Sequence, residues 1–495
     1  MTTEWAYHSA TQLLDAMNKG ELTSRALVEY YQQRFVKVNP DVNAVVATNF
    51  DAALSRADEA DQARKDGISW GPLHGLPMTI KDTFEVVGMP CTAGAPALKA
   101  HTPKKNAHAV EQLLDAGAII FGKTNTPLYA SDIQSYNKIY GTTNNPWNLT
   151  LTPGGSSGGA AAALASGMTP IELGSDIGGS IRTPSHFCGV YGHKVTYGII
   201  SCRGHIPGPP GMLSEPDLSV AGPMARSADD LKMMLDIISG PTPLMTDAWQ
   251  LNLPEPKQKN LSDFKVLMWL DDPLCPIDDE LRPAYLKLKL KSHLEAQGAQ
   301  VTLGEPDGLT LNSFFPTYMS LLGAVLGSSL KGKQRIATKV FGTLAKYFGK
   351  YIGASASGED FLLGMVQPHA DWIRSNEKRH HLAQAFEKLY EKYDVILTPV
   401  TMTAAFEHQQ VGPVHLRKLD VNGEQRNYSD MFMWIAPATL LGLPATSAPV
   451  GQTSGGLPVN IQIIGNAYKD KTTLHFASLL EKSMGGFKNP PKYNV

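Results

Sequence analysis

Residues 106–176 constrain the fold most. There a helical pattern, NAHAVEQLLDAG, runs straight into an apolar strand pattern, AIIFGKT, and a second helical run, GGAAAALASG, leads into MTPIELGSD. Helix followed by strand, and then repeated, argues for an α/β sheet with helices packed on its faces. A second unit of this kind joins FKVLMWL and AQVTL through the helical LRPAYLKLKLKSHLEAQG. Further strand candidates are PMTIKD, YDVILTPV, ATSAPVG and VNIQIIG, after which the helical KTTLHFASLLEKS closes the sheet. The first 65 residues read as helices, with apolar positions three and four apart. Segment 310–392 is helical and rich in Phe, Tyr, Leu and Met, and reads as an insertion lining a substrate pocket. No internal repeat breaks the chain, so residues 1–495 are expected to form one continuous domain.

Several function classes are disfavoured by charge and composition. With 44 basic against 46 acidic residues and a formal charge of −2, the chain offers no broad attraction to nucleic acid or an anionic membrane, and a partner must be recognised locally. The opening MTTEWAYHSATQLLDAMNKGE lacks a basic segment followed by an apolar run. No stretch approaches the roughly 18 uninterrupted apolar residues of a spanning helix. The expectation is a cytoplasmic protein with no membrane span. Cys91, Cys188, Cys202 and Cys275 lie far apart without CxxC spacing, which reads as four reduced, structural cysteines. His74, His186 and His193 lack metal-ligand spacing, and His380 and His381 sit in a polar helical run. No metal is expected.

Two motifs match a pattern without its context. GAIIFGKT (117–124) fits GxxxxGK[ST], but its variable positions are Ala118, Ile119, Ile120 and Phe121, a buried strand where a phosphate loop needs flexible backbone, and Pro127 disfavours the following helix. GGSSG (154–158) fits the nucleophile elbow of α/β hydrolases. The required strand is missing, because NNPWNLTLTPGG carries Pro146 and Pro153 and reads as loop.

Three polar features remain. Lys81 sits inside the apolar strand candidate of GLPMTIKD, Ser156 lies in the glycine-serine loop, and Ser180 follows a glycine pair in GSDIGGSIRTP (174–184). Burial disfavours the charged form of a lysine. Bringing its pKa from about 10.4 to neutrality requires roughly three units, about 4 kcal/mol, and turns it into a base.

The stretch GGSSGGAAAALASGMTPIELGSDIGGSIRTPSHFCGVYGHK (154–194) resembles the signature segment of the amidase signature family of serine hydrolases, with Ser156 and Ser180 spaced 24 residues apart and the lysine segment upstream. Weaker similarity runs through FGKTNTP, VAGPMARSADDL, ILTPV, GLPATSAPVG and GLPVNIQIIG. The resemblance implies an α/β amidase signature fold: a central mixed β-sheet covered by helices on both faces. It further implies a Ser–Ser–Lys triad, with Ser180 as nucleophile, Ser156 as proton shuttle after a cis bond from Gly155, and Lys81 as base. The amides of Ile177, Gly178, Gly179 and Ser180 would form an oxyanion hole, with Ala130 and Ser157 at the substrate and Asp176 and Arg182 bracing the loop.

The implied reaction is hydrolysis of a small carboxylic amide through an acyl-enzyme, with no cofactor. Family members are frequently dimers. Two alternatives stand beside this reading: a glutaminase subunit delivering ammonia within an aminoacyl-tRNA amidotransferase, and an α/β-hydrolase-like esterase using Ser156. The chain departs from the family at Val195, where proline is usual, and at Asn460, where glycine is usual. Both departures bear on loop shape and pocket lining. Phe314, Phe315, Tyr318, Met319 and Leu322 suit either an apolar substrate group or ordinary helix packing.

Overall fold

The computed structural model describes residues 5–206, 208–286, 289–352 and 355–493. Its frame is one sheet of eleven strands. In chain order these are β1 (Val45–Thr48), β2 (Pro77–Lys81), β3 (Ile119–Thr124), β4 (Ile171–Asp176), β5 (Tyr191–Lys194) and β6 (Val220–Ala225). They continue with β7 (Lys265–Met268), β8 (Gln300–Leu303), β9 (Val395–Pro399), β10 (Ala445–Gln452) and β11 (Pro458–Ile464). The spatial order is β1-β3-β2-β4-β6-β5-β10-β11-β9-β7-β8. The sheet is mixed: β3, β2 and β4 run parallel, as do β9, β7 and β8, while the pairs between these groups and the β1 edge are antiparallel.

Strands covered on both faces read as near-continuous apolar runs. Every residue of β2, β4 and β6 is buried. The GAIIFGKT stretch is strand β3, and its Lys123 Nζ donates to Phe84 O at 2.5 Å, so this lysine is spent on the fold. Since β2 and β4 are parallel, Lys81 at the end of one and Ser175–Asp176 at the end of the other open on the same edge. In open α/β sheets that edge is where ligands bind.

The N-terminal region supplies helices α1 (Ala10–Asn18), α2 (Ser24–Val42) and α3 (Phe50–Lys65). It also supplies β1, which the all-helical reading of residues 1–65 missed. Four residues are too few for a periodic signal, and pairing with β3 makes the strand. The all-alanine-and-glycine helix α4 (Gly158–Ala165), broken only by Leu164, is wholly buried, and α5 (Arg182–Cys188) follows the glycine pair. The unit read as one helix, LRPAYLKLKLKSHLEAQG, forms two short helices, Arg282–Tyr285 and Leu290–Ala296; residues 287 and 288 lie outside the described residues.

Between β8 and β9 the chain forms four longer helices, α6 (Leu311–Leu326), α7 (Lys333–Ile352), α8 (Gly358–Gly364) and α9 (His369–Glu387). Helix α6 packs against α8, α9 and Ala436–Leu440, whereas α7 rests on α8. Trp269 and Trp434 meet edge to face at 5.4 Å in the core between sheet and insertion. Among the described residues, no helix is long and apolar enough to cross a membrane.

Candidate active site

Lys81 ends strand β2 with its side chain fully buried. Its Nζ donates to Ser156 Oγ at 2.7 Å, Ser157 Oγ at 2.9 Å and Ser175 Oγ at 3.0 Å. Burial drives its pKa down to about 7, against the opposing pull of Asp176 and Glu172. Glu172 on β4 is itself pushed up to about 7 by burial, with Thr79 Oγ1 donating to it at 2.6 Å. A carboxyl partly neutral at pH 7 holds a lysine proton weakly. The amine therefore stands at the pKa suited to taking up and returning a proton.

Ser156 and Ser157 lie in the loop that enters α4. The Gly155–Ser156 peptide is cis. A Cβ on Gly155 would sit 2.7 Å from Asp132 O and Gln134 N, so only glycine fits between this loop and the 130–134 segment. Ser135 Oγ accepts from Gly158 N at 3.0 Å and donates to Ser156 O at 3.3 Å, fixing the loop from below. No strand enters Ser156, so the strand-turn-helix elbow of an α/β hydrolase is absent, and its hydroxyl belongs to the lysine cluster.

Strand β4 ends at Asp176, and the chain turns through Ile177, Gly178, Gly179 and Ser180 into α5. Gly179 has φ +84°, in the left-handed region that side chains resist. Asp176 holds this turn together. Its carboxylate accepts from Gly179 N (3.0 Å), Ile181 N (3.0 Å) and Arg182 N (3.3 Å), and from Arg182 Nε (3.1 Å) and Nη2 (2.8 Å). Burial alone would raise the pKa of Asp176, but the Arg182 guanidinium overrides it and holds the carboxyl below its ordinary value. Arg182 also donates to Ile435 O, Gln462 Oε1 and Thr439 Oγ1, which leaves the ion pair fully buried and satisfied.

The amide of Gly179 is thus spent on Asp176. Among the described residues, no protein acceptor takes the amides of Ile177, Gly178 or Ser180. Ser180 is only 6% exposed. The two loops are joined by Ser157 N donating to Ser180 O at 3.1 Å, while the Ser156 and Ser180 hydroxyls are not hydrogen-bonded to each other. Catalytic contacts of this kind commonly tighten only around a substrate.

The remaining predicted residues fall nearby or elsewhere. Ala130 sits half-buried in a turn with φ +55°, its amide bonded to Pro127 O at 2.9 Å, just before the segment that packs on Gly155. Of the five insertion residues, Tyr318 reaches the site: its Oη donates to Ile177 O at 2.9 Å. Phe314 is a packing residue, edge to face with Phe386. The side chain of Asn460 is buried, and its amide nitrogen lies within hydrogen-bond distance of Ser185 O, Val190 O and Ser447 Oγ, tying α5 to the sheet. Val195 is buried beyond β5 and its carbonyl accepts from Lys194. His74, His186 and His193 are each hydrogen-bonded within the fold.

Two contributors escaped the sequence reading. Ser175, the third acceptor of Lys81, was visible only as the residue before Asp176. Phe432, whose ring would stand 3.1 Å from a Cβ on Gly178, lies 254 residues beyond it and carried no local signal.

Comparison with known proteins gives this arrangement a lineage. The profile of the Amidase family matches residues 26–474. A glutamyl-tRNA(Gln) amidotransferase subunit from Prochlorococcus marinus (strain NATL2A) is 31% identical over 498 aligned residues, covering 97% of this chain and 98% of the relative. The solved structure of 6-aminohexanoate cyclic dimer hydrolase complexed with substrate superposes with a TM-score of 0.75 at 25% identity, covering 99% of this chain and all of that one. A solved fatty acid amide hydrolase shares the fold, with a TM-score of 0.77 at 24% identity over 97% of this chain and 85% of its own. The chain belongs to the Amidase family, the amidase signature enzymes, whose profile runs over most of its length and whose solved members share its large mixed sheet flanked by helices.

Proposed function

We propose that the protein hydrolyses a carboxylic amide through an acyl-enzyme on Ser180. The observation that carries this reading is the buried Lys81 amine, brought to about 7 and hydrogen-bonded to Ser156 beside a turn with uncommitted amides. Neutral Lys81 takes a proton from Ser156, which takes one from Ser180, and Ser180 Oγ adds to the amide carbonyl. The negative charge on the carbonyl oxygen meets the amides of Ile177, Gly178 and Ser180. Gly179 supplies the turn's conformation, since its own N–H holds Asp176. One such oxyanion donor is typically worth about 2.7 to 4 kcal/mol of barrier. The proton returns through Ser156 to the departing nitrogen, the amine leaves, and water hydrolyses the ester. Ser157 steadies Lys81, and the Ala130 turn borders the substrate.

Beside the turn stand Phe432, Tyr318 and Ile435, and the Tyr318 hydroxyl is already bonded to Ile177 O. This wall favours a substrate with an apolar group. A second reading rests on the 31% identical relative from a glutamyl-tRNA(Gln) amidotransferase, whose alignment takes in 97% of this chain. In that reading the same chemistry releases ammonia from glutamine for a partner protein.

A fluorophosphonate probe with peptide mapping tests the shared mechanism. The expected adduct is on Ser180, absent in Ser180→Ala and slowed in Ser156→Ala and Lys81→Met; an adduct that persists in Ser180→Ala overturns it. Ammonia release from glutamine against release from apolar amides then separates the two readings.

A further inference from the structure

Helix α7 is turned inside out relative to an ordinary surface helix. The side chains it presents to the protein are small: Thr338 and Gly349 are half-buried, and Gly342 and Ala345 sit against the neighbouring helix. Gly342 lies so close to α8 that a Cβ there would stand 3.0 Å from the Leu363 side chain. Its large apolar side chains point to solvent: Ile336 (67% exposed), Val340 (53%), Phe341 (64%), Leu344 (45%), Tyr347 (69%) and Phe348 (54%). At 3.6 residues per turn these six occupy an arc of roughly 140°, centred nearly opposite the small face. A globular helix normally turns such an arc toward the core, and a contiguous apolar patch left outside marks an interaction surface.

The charges are equally one-sided. Residues 331–352 carry Lys331, Lys333, Arg335, Lys339, Lys346 and Lys350 and no carboxylate, in a chain whose formal charge is −2. Arg335, Lys339 and Lys346 are exposed along one flank of the apolar arc. Opposing charge stands on α8, which carries Glu359 and Asp360; half-buried Asp360 feels Lys378 and Lys346. With five cationic residues in its 20, the helix does not span a bilayer.

We propose that α7 is an interfacial helix that docks the protein on an anionic lipid bilayer, with the six apolar side chains among the headgroups and the flanking lysines on lipid anions. An exposed apolar face with a cationic border is the pattern of helices that lie in such an interface. A second copy of this chain fits less well, because it would bring a second face with cations and no carboxylate against the first. Lipid anions neutralise that charge. This inference does not depend on the proposed reaction.

Co-sedimentation of the full chain with vesicles tests it. The protein is expected to pellet with phosphatidylserine-containing vesicles, less with pure phosphatidylcholine, and less as salt rises. Lys339→Gln with Lys346→Gln should lower binding about 30-fold, about fivefold per charge near an anionic surface. Phe341→Ser with Phe348→Ser should lower it at least about tenfold per ring. Far-UV circular dichroism and the urea midpoint should be unchanged in both double variants, which shows that they fold. Wild-type protein that stays in the supernatant with anionic vesicles overturns the proposal, as does binding that neither double variant weakens. If the phenylalanine variant instead splits a lipid-free dimer, the face belongs to a second copy and the proposal also fails.

Discussion

The protonation of Lys81 gives the sharpest test of the site, and replacing it with methionine removes the titrating group at nearly constant volume. Moving the amine from 10.5 to about 7 corresponds to about 5 kcal/mol against the charged form, at about 1.36 kcal/mol per unit. In the proposed mechanism the neutral amine is the working base, so kcat/KM for an amide should rise tenfold per pH unit below about 7 and level off above it. The folded pKa lies below the unfolded one, so between about 7 and 10.5 the unfolded chain binds a proton that the folded chain lacks. Stability therefore rises with pH across that window, by about 1.4 kcal/mol per unit from this group alone. Urea unfolding at pH 7.5 and 9.5 should show wild type gaining about 2.7 kcal/mol more than Lys81→Met over those two units. Lys194, also lowered to about 7 by burial, contributes equally to both proteins and cancels. An activity limb near pH 10, or the same pH dependence of stability in both proteins, would refute the reasoning.

Asp176→Asn leaves the fully buried Arg182 without its counter-charge and should cost about 3 to 5 kcal/mol, read as a lower urea midpoint together with lost activity. Tyr318→Phe removes one hydrogen bond to Ile177 O and should lower stability by about 0.5 to 1.5 kcal/mol, read as a lower urea midpoint, and should lower kcat as the Ile177 turn is held less firmly. Asn460→Gly deletes the buried amide that ties α5 to the sheet through Ser185 O, Val190 O and Ser447 Oγ. It should lower stability by about 2 to 4 kcal/mol and leave the pH profile of hydrolysis unchanged.

Local chemistry made much of this protein readable from its chain. Lys81 stood out because a lysine in an apolar run must be desolvated, and Ser156 and Ser180 because their glycine-rich settings match a long ordered signature. Strands β2, β3 and β4 announced themselves by burial that leaves a continuous apolar run, as did α4 by its small residues. Strand β1 was too short for any period to register. What only the tertiary structure decided is which ends meet. Parallel pairing of β2 with β4 brings Ser175 to Lys81, and the turn after β4 places the amide of Gly179 on Asp176. Phe432 reaches Gly178 across 254 residues, and the apolar arc of α7 turns outward because its small residues fit against α8. Periodicity and composition encode how each segment buries itself. Contacts between segments far apart in the chain depend on strand order and packing, which no local window of sequence contains.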